Sequence, residues 1–261
     1  MSEPEEQLAE GTLISHLLEL RTRMMRAVIG VMLVFIPCAY YSNRLYVLIE
    51  QPLKDKLPVG GDIIATNVIA PFMAPIKLAF IIAVFIAMPW ILYQVWAFVA
   101  PGLYRREKRF AIPLLVSSIV LFYVGMVFAY FAVFPLMFKF LTSTAPEGVK
   151  IMADMTSYLD LVLKLFFIFG LAFEIPVATV LLVWTGLVNL ETLTKNRGYV
   201  ILIIAIVAAV ITPPDALSMC LMALPMYLLF EIGVLGSRVL LRDKLAERKA
   251  EAQADEDAAS L

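Results

Sequence analysis

Long apolar runs separated by short polar islands lay out this chain. Residues 1–12 are polar and are expected to be disordered. Leu13, Leu17, Leu20 and Met24 then recur at helical spacing, with His16, Glu19 and Arg23 off that stripe. This predicts an amphipathic surface helix running into a first membrane span at Met25–Tyr41. A loop through Leu53–Lys56 and the Gly60-Gly61 turn leads to a second span, Pro75–Ala97, preceded by Pro71 and containing Pro89. The island Pro101-Gly-Leu-Tyr-Arg-Arg-Glu-Lys-Arg109 follows, and then a third span, Phe110–Phe138, without a charged residue. A polar stretch, Thr142–Thr156, ends where Ser157 and Asp160 have the spacing of a capping box, opening a fourth span, Leu159–Trp184.

The last two apolar runs, Tyr199–Ile211 and Ala216–Gly236, are short, the second being interrupted by Pro225 and Glu231. The turn Thr212-Pro-Pro-Asp215 joins them, with Asp215 placed to cap the following helix. At about 1.5 Å per residue, the Tyr199–Ile211 run reaches roughly 20 Å, against a hydrocarbon core about 30 Å thick. The hairpin must thin the bilayer or be covered by protein. Residues 13–238 form the membrane domain, and a charged tail occupies 239–261.

Composition fixes the class. Of 261 residues, 62% are hydrophobic and 16% charged, where soluble domains are about half apolar and about a quarter charged. The chain is read as an all-α polytopic membrane protein. Arg21, Arg23, Arg26, the 105–109 cluster, Lys195, Arg197 and the basic tail lie on one side of the spans, against Arg44, Lys54, Lys56, Lys139 and Lys150 on the other. That asymmetry predicts six spans with both termini in the cytoplasm. The acidic start, with Glu3, Glu5, Glu6 and Glu10, lacks the basic segment of a cleavable signal peptide, so none is expected. Cys38 and Cys220 sit far apart in apolar runs and are read as small hydrophobes.

Candidate chemistry is sparse. The single histidine, His16, has no nucleophile beside it in sequence, and no phosphate loop, paired metal ligands or hydrolase elbow occurs. The chain is not expected to be an enzyme or to use a metal or cofactor, and nothing points to nucleic acid. Charges inside spans carry more weight, because an ionisable group at mid-bilayer costs about 2.5–3.5 kcal/mol or more. Asp160 and Lys164 have the i, i+4 spacing of a self-neutralising pair, and Lys77 lies close enough to a span end to snorkel. Glu174, in Phe173-Glu-Ile-Pro176, has no charge within a turn of its own helix, and Pro176 removes a backbone donor just beyond it. Two readings stand for it: a protonated core carboxyl, or a carboxyl facing a concavity filled by water or ligand. Glu231 is read as structural. Glu19 and Glu107 are either ordinary surface charges or a pair able to hold guanidinium groups through parallel charge-assisted hydrogen bonds.

Together, His16-Leu-Leu-Glu-Leu-Arg21, Tyr93-Gln-Val-Trp-Ala-Phe-Val-Ala-Pro-Gly-Leu-Tyr104 with Glu107, Phe173-Glu-Ile-Pro176 and Thr212-Pro-Pro-Asp215 resemble the TatC family, from about Leu13 to Arg238. That family is the multi-span core of the bacterial twin-arginine translocase, and the likeness is strongest to its proteobacterial members. The resemblance implies six spans in a kinked, cup-like bundle with short fifth and sixth helices, in the bacterial inner membrane. It implies reception of twin-arginine signal peptides on folded cargo, self-association in a multi-copy complex, single-span TatA and TatB as partners, and transport driven by the proton-motive force. By position, Glu19 and Glu107 become the acidic pair that meets the signal peptide. Phe98, Leu103 and Tyr104 flank it, with Arg21 beside them. Glu174 becomes a polar group on a cavity wall, while Pro52 and Asp215 match a family loop proline and hairpin cap. The alternative is a secondary solute transporter with Glu174 as its coupling carboxyl, although no inverted repeat is visible.

Overall fold

The computed structural model describes the backbone at 3–54, 63–64, 67–99, 108–143, 153–211 and 216–242. These residues are almost wholly helical: α1 Glu3–Tyr40, α2 Ser42–Lys54, α3 Ala70–Val99, α4 Lys108–Phe128, α5 Phe134–Ser143, α6 Met155–Ala172, α7 Ile175–Thr185, α8 Leu190–Lys195, α9 Arg197–Ile211 and α10 Ala216–Leu240. A minimal parallel pair, β1 (Ile63–Ile64) with β2 (Ala153–Asp154), joins two connecting segments. Five stretches are long and apolar enough to cross a membrane: Ser15–Tyr40, Ala70–Phe98, Ile112–Met137, Met155–Thr185 and Met222–Leu240. Arg197–Val210 is a shorter apolar helix.

Contacts divide the chain into two compact units, with boundaries inside α4 after Val120 and inside α6 after Leu163. In the first unit α1 lies against α3, antiparallel to it. The crossing is close because Gly30 has no side chain: a Cβ there would overlap the Trp90 indole. Trp90 Nε1 donates to the carbonyl of Arg26 at 2.9 Å, and farther along Phe35 meets Phe80 edge to face. Small residues permit such approach where lipid supplies no hydrophobic drive between helices. Along α3, Ala74, Leu78, Ala79 and Ala83 are fully buried.

The second unit comprises the remainder of α4 and α6 together with α5 and α7–α10. It uses the same device. A Cβ at Gly125 would strike the Phe169 backbone, one at Gly170 the Phe122 ring, and one at Gly233 the Pro176 and Thr179 surface. Phe128 packs on both Phe169 and Phe173. Ala172, Ile204, Met226 and Leu229 form a core cluster drawn from α6, α9 and α10.

Several expectations need correcting. Helix α1 begins at Glu3, within the stretch expected to be disordered; Glu-Gln-Leu-Ala-Glu are good helix formers, and polarity alone had suggested disorder. Pro52, matched to a loop position, falls inside α2. The third apolar run is not one regular helix, since Ala129–Val133 form a π turn in which the Phe134 N–H reaches the Ala129 carbonyl. The helix expected to open at Ser157 opens earlier. Asp154 caps it, accepting from both the backbone N–H and the hydroxyl of Ser157 at 3.0 Å. The final helix is not short: α10 runs 25 residues, straight past Pro225 and Glu231.

The helix is interrupted just before Pro176, where the backbone donor is missing. Helix α6 stops at Ala172 and α7 starts at Ile175, so the Met155–Thr185 span is divided at Phe173 and Glu174. Gly186, at φ 79°, ends α7 in the left-handed region that favours glycine.

Candidate functional site

The antiparallel packing of α1 and α3 brings the start of the Ser15–Tyr40 span to the end of α3. There His16 stacks on Phe98 with ring centroids 4.5 Å apart and 23° between planes. One turn along α1, Glu19 Oε1 pairs with Arg23 Nη2 at 3.2 Å. The other arm of the same guanidinium, Nη1, donates to Gln94 Oε1 at 3.4 Å, across 71 positions of sequence. Gln94 is 2% exposed, whereas the Glu19 side chain is 35% exposed. An open carboxylate therefore rests on a buried amide through one arginine. Arg21, a position predicted beside this patch, is exposed.

Of the predicted recognition residues, the structure thus brings Glu19 and Phe98 to the same end of the α1–α3 pair. Leu103, Tyr104 and Glu107 lie outside the described residues, as does Asp215. Sequence reasoning missed Gln94 and the packing role of His16. The signal was available in Tyr93-Gln-Val-Trp96, where a glutamine breaks an apolar run and must find a polar partner if buried.

Glu174 sits at the helix break with φ −77° and ψ −16° and does not cap α7 with its side chain. Its N–H donates to Leu171 O at 3.0 Å and its carbonyl accepts from Ala178 at 2.8 Å, so the backbone stays hydrogen-bonded through the irregularity. Its neighbours Phe173 and Ile175 pack on the Ala172–Ile204–Met226–Leu229 cluster, and Glu174 itself is half-buried.

Two further charge pairs join elements distant in sequence. Asp160 does not use Lys164; its Oδ1 lies 2.6 Å from Lys77 Nζ, tying α6 to α3 within the first unit. Lys77 and Asp160 both lie near the starts of their helices, and this matching depth is the sequence clue to their pairing. Lys164 is exposed on α6, and nothing among the described residues explains its place in a span. Glu231 takes a donor on each oxygen, Arg197 Nη2 at 2.9 Å and the Tyr227 hydroxyl at 2.7 Å. This clamps α9 to α10 and supports the structural reading of that carboxylate.

A hollow of about 340 Å³ lies among Phe35, Met73, Ala74, Ile76, Lys77, Phe80 and Thr156. Its lining is almost entirely apolar, and its one charge, Lys77, is held by Asp160. A solute site needs a few converging polar groups. This hollow does not offer them.

Residues 15–225 match the family model described as Sec-independent protein translocase protein (TatC). The Sec-independent protein translocase protein TatC of Azotobacter chroococcum (mcd 1) is 53% identical over 235 residues, covering 90% of this chain and 92% of the relative. That of Escherichia coli (strain K12) is 52% identical over 226 residues, covering 87% and 88%. Among solved structures, a crystal structure titled Twin Arginine Translocase Receptor-TatC superposes with a TM-score of 0.75 at 35% identity. It covers 86% of this chain and 98% of that one.

Proposed function

The chain belongs to the TatC family of Sec-independent protein translocase proteins, and on that premise we propose that it is the receptor core of a twin-arginine translocase. It binds twin-arginine signal peptides on folded cargo and organises the single-span proteins TatA and TatB around itself, in several copies, for export driven by the proton-motive force. It works in the bacterial inner membrane with six spans and both termini in the cytoplasm. Arg197–Ile211 serves as the short fifth span, and the cytoplasmic face holds the start of α1 and the end of α3.

The observation that carries this reading is the meeting of Glu19, His16, Arg23, Gln94 and Phe98 at one end of the α1–α3 pair. A carboxylate with an oxygen left open by the described residues, beside an aromatic platform, suits a guanidinium with an apolar flank. Glu107 supplies the second carboxylate, with Leu103, Tyr104 and Arg21 completing the patch. Two charge-assisted contacts at about 1.5–3 kcal/mol each suffice for recognition, and the affinity stays moderate so that the signal peptide can leave. Pro52 and Asp215 shape the segments between spans.

In cells, Glu107→Ala abolishes export of twin-arginine cargo while the protein still inserts in the membrane. Normal export by that variant would remove the recognition role. Glu174, at the broken span, is a polar contact for a partner helix within the bilayer. Glu174→Ala reduces crosslinking of a partner helix at that depth, and unchanged crosslinking would return Glu174 to a purely structural role.

A further inference from the structure

The carboxylate assigned to the ligand's arginine already carries one. Arg23, four residues along α1, touches Glu19 through a single oxygen at 3.2 Å and reaches Gln94 with its other arm at 3.4 Å. Among the described residues nothing engages the second oxygen of Glu19. We infer that Arg23 is a resting counter-ion of Glu19, a stand-in for the ligand's guanidinium that moves fully onto Gln94 when the ligand binds. The inference rests on the reading of Glu19 as a recognition carboxylate.

Three observations argue for displacement over a fixed pair. The contact is monodentate and long for a charge-assisted bond, which normally lies near 2.7–2.9 Å, and the carboxylate is 35% exposed. Such a pair is weak, whereas an incoming guanidinium placed in line with both oxygens makes two parallel bonds. Gln94 gives the displaced arginine somewhere to go. Its amide is buried at 2% exposure and is already in contact with Arg23, so displacement leaves that guanidinium hydrogen-bonded. Without such an acceptor, binding would strand a partly buried cation beside an incoming one.

The consequence concerns affinity and release. Arg23 competes with every ligand arginine and returns to Glu19 as the ligand departs, so it holds the affinity down and speeds dissociation. Gln94 works in the opposite direction, drawing Arg23 away from Glu19. The two residues are positioning residues for the recognition carboxylate, with effects of opposite sign.

The test is equilibrium and kinetic binding of a labelled signal peptide carrying Arg-Arg to the full-length protein in detergent, with variants compared as monodisperse samples. Arg23→Gln tightens binding roughly two- to five-fold, the size of an exposed ion pair, mainly through slower dissociation. Gln94→Leu weakens it by a similar factor and has no effect in the Arg23→Gln background. Arg26→Gln removes the same charge one turn away without touching Glu19 and changes affinity less than Arg23→Gln. A purely structural role for Arg23 gives weaker binding, so weaker or unchanged affinity in Arg23→Gln overturns the inference. An equal gain from Arg26→Gln overturns it too, because general electrostatics would then suffice. Should Arg23→Gln fail to fold, unchanged affinity in Gln94→Leu alone overturns it. Failure of the underlying reading looks different: Glu19→Gln then leaves binding unchanged in the otherwise native chain. If Glu19→Gln weakens binding and Arg23→Gln does not tighten it, only the counter-ion fails.

Discussion

Glu19 in the first unit and Glu231 in the second are both carboxylates facing a guanidinium, with similarly exposed side chains at 35% and 31%. Their geometry separates them. Glu231 has a short bond on each oxygen, from Arg197 at 2.9 Å and Tyr227 at 2.7 Å, and it locks two helices together. Among the described residues Glu19 has one longer contact, from its own helix, and an oxygen to spare. A saturated carboxylate belongs to the fold, and an unsaturated one at a surface is available to a ligand. Residue type does not decide the role; the number and quality of the bonds already made do.

The frame that presents Glu19 is the most sensitive place to test this contrast. Gly30→Leu forces a side chain into the Trp90 indole, which at the upper end of overpacking costs about 3 kcal/mol. It separates α1 from α3, and thermal unfolding in detergent should show a clear loss of stability accompanied by loss of peptide binding. Retained binding would mean that Glu19 works without its α3 neighbours. Glu231→Ala comes next, at about 2 kcal/mol, because it strips the partners from a guanidinium and a phenol together. Its melting temperature falls, while the folded fraction keeps its preference for Arg-Arg peptide; a lost preference would make Glu231 part of the ligand site. Smallest on stability is Glu19→Gln, at about 0.5 kcal/mol or less, as expected for an exposed i, i+4 pair. A melting-temperature drop as large as that of Glu231→Ala would erase the distinction between the two carboxylates.

Much of the architecture was legible in the sequence because bilayer thickness imposes a length scale on apolar runs. The long spans, the polar islands and the break before Pro176 all follow from hydropathy and from proline's missing donor. Where one-dimensional reasoning failed, tertiary contact had decided. Asp160 was assigned to Lys164 because a neighbour one turn away is the only partner visible along a sequence, yet the fold supplies Lys77. The last apolar run, Ala216–Gly236, is interrupted in the sequence by Pro225 and Glu231, but Arg197 and Tyr227 satisfy that glutamate and one helix runs from Ala216 to Leu240. The π turn at Ala129–Val133 contains no proline or glycine itself, and its one sequence signal is Pro135 just beyond it, which lacks a backbone donor. In the candidate site, Glu19 and Phe98 are legible as motif residues, and Gln94 only as a polar break in an apolar run. Its importance lies in a contact across 71 positions that periodicity does not encode.

The most direct measurement compares binding of labelled Arg-Arg and Lys-Lys signal peptides to the solubilised protein, its Glu19→Gln variant and its Glu107→Gln variant. A clear preference of the native protein for Arg-Arg is predicted, with each substitution weakening Arg-Arg binding roughly ten-fold or more, as expected for a lost charge-assisted contact. Equal binding of both peptides, or a preference that survives both substitutions, would contradict recognition of arginine by these carboxylates.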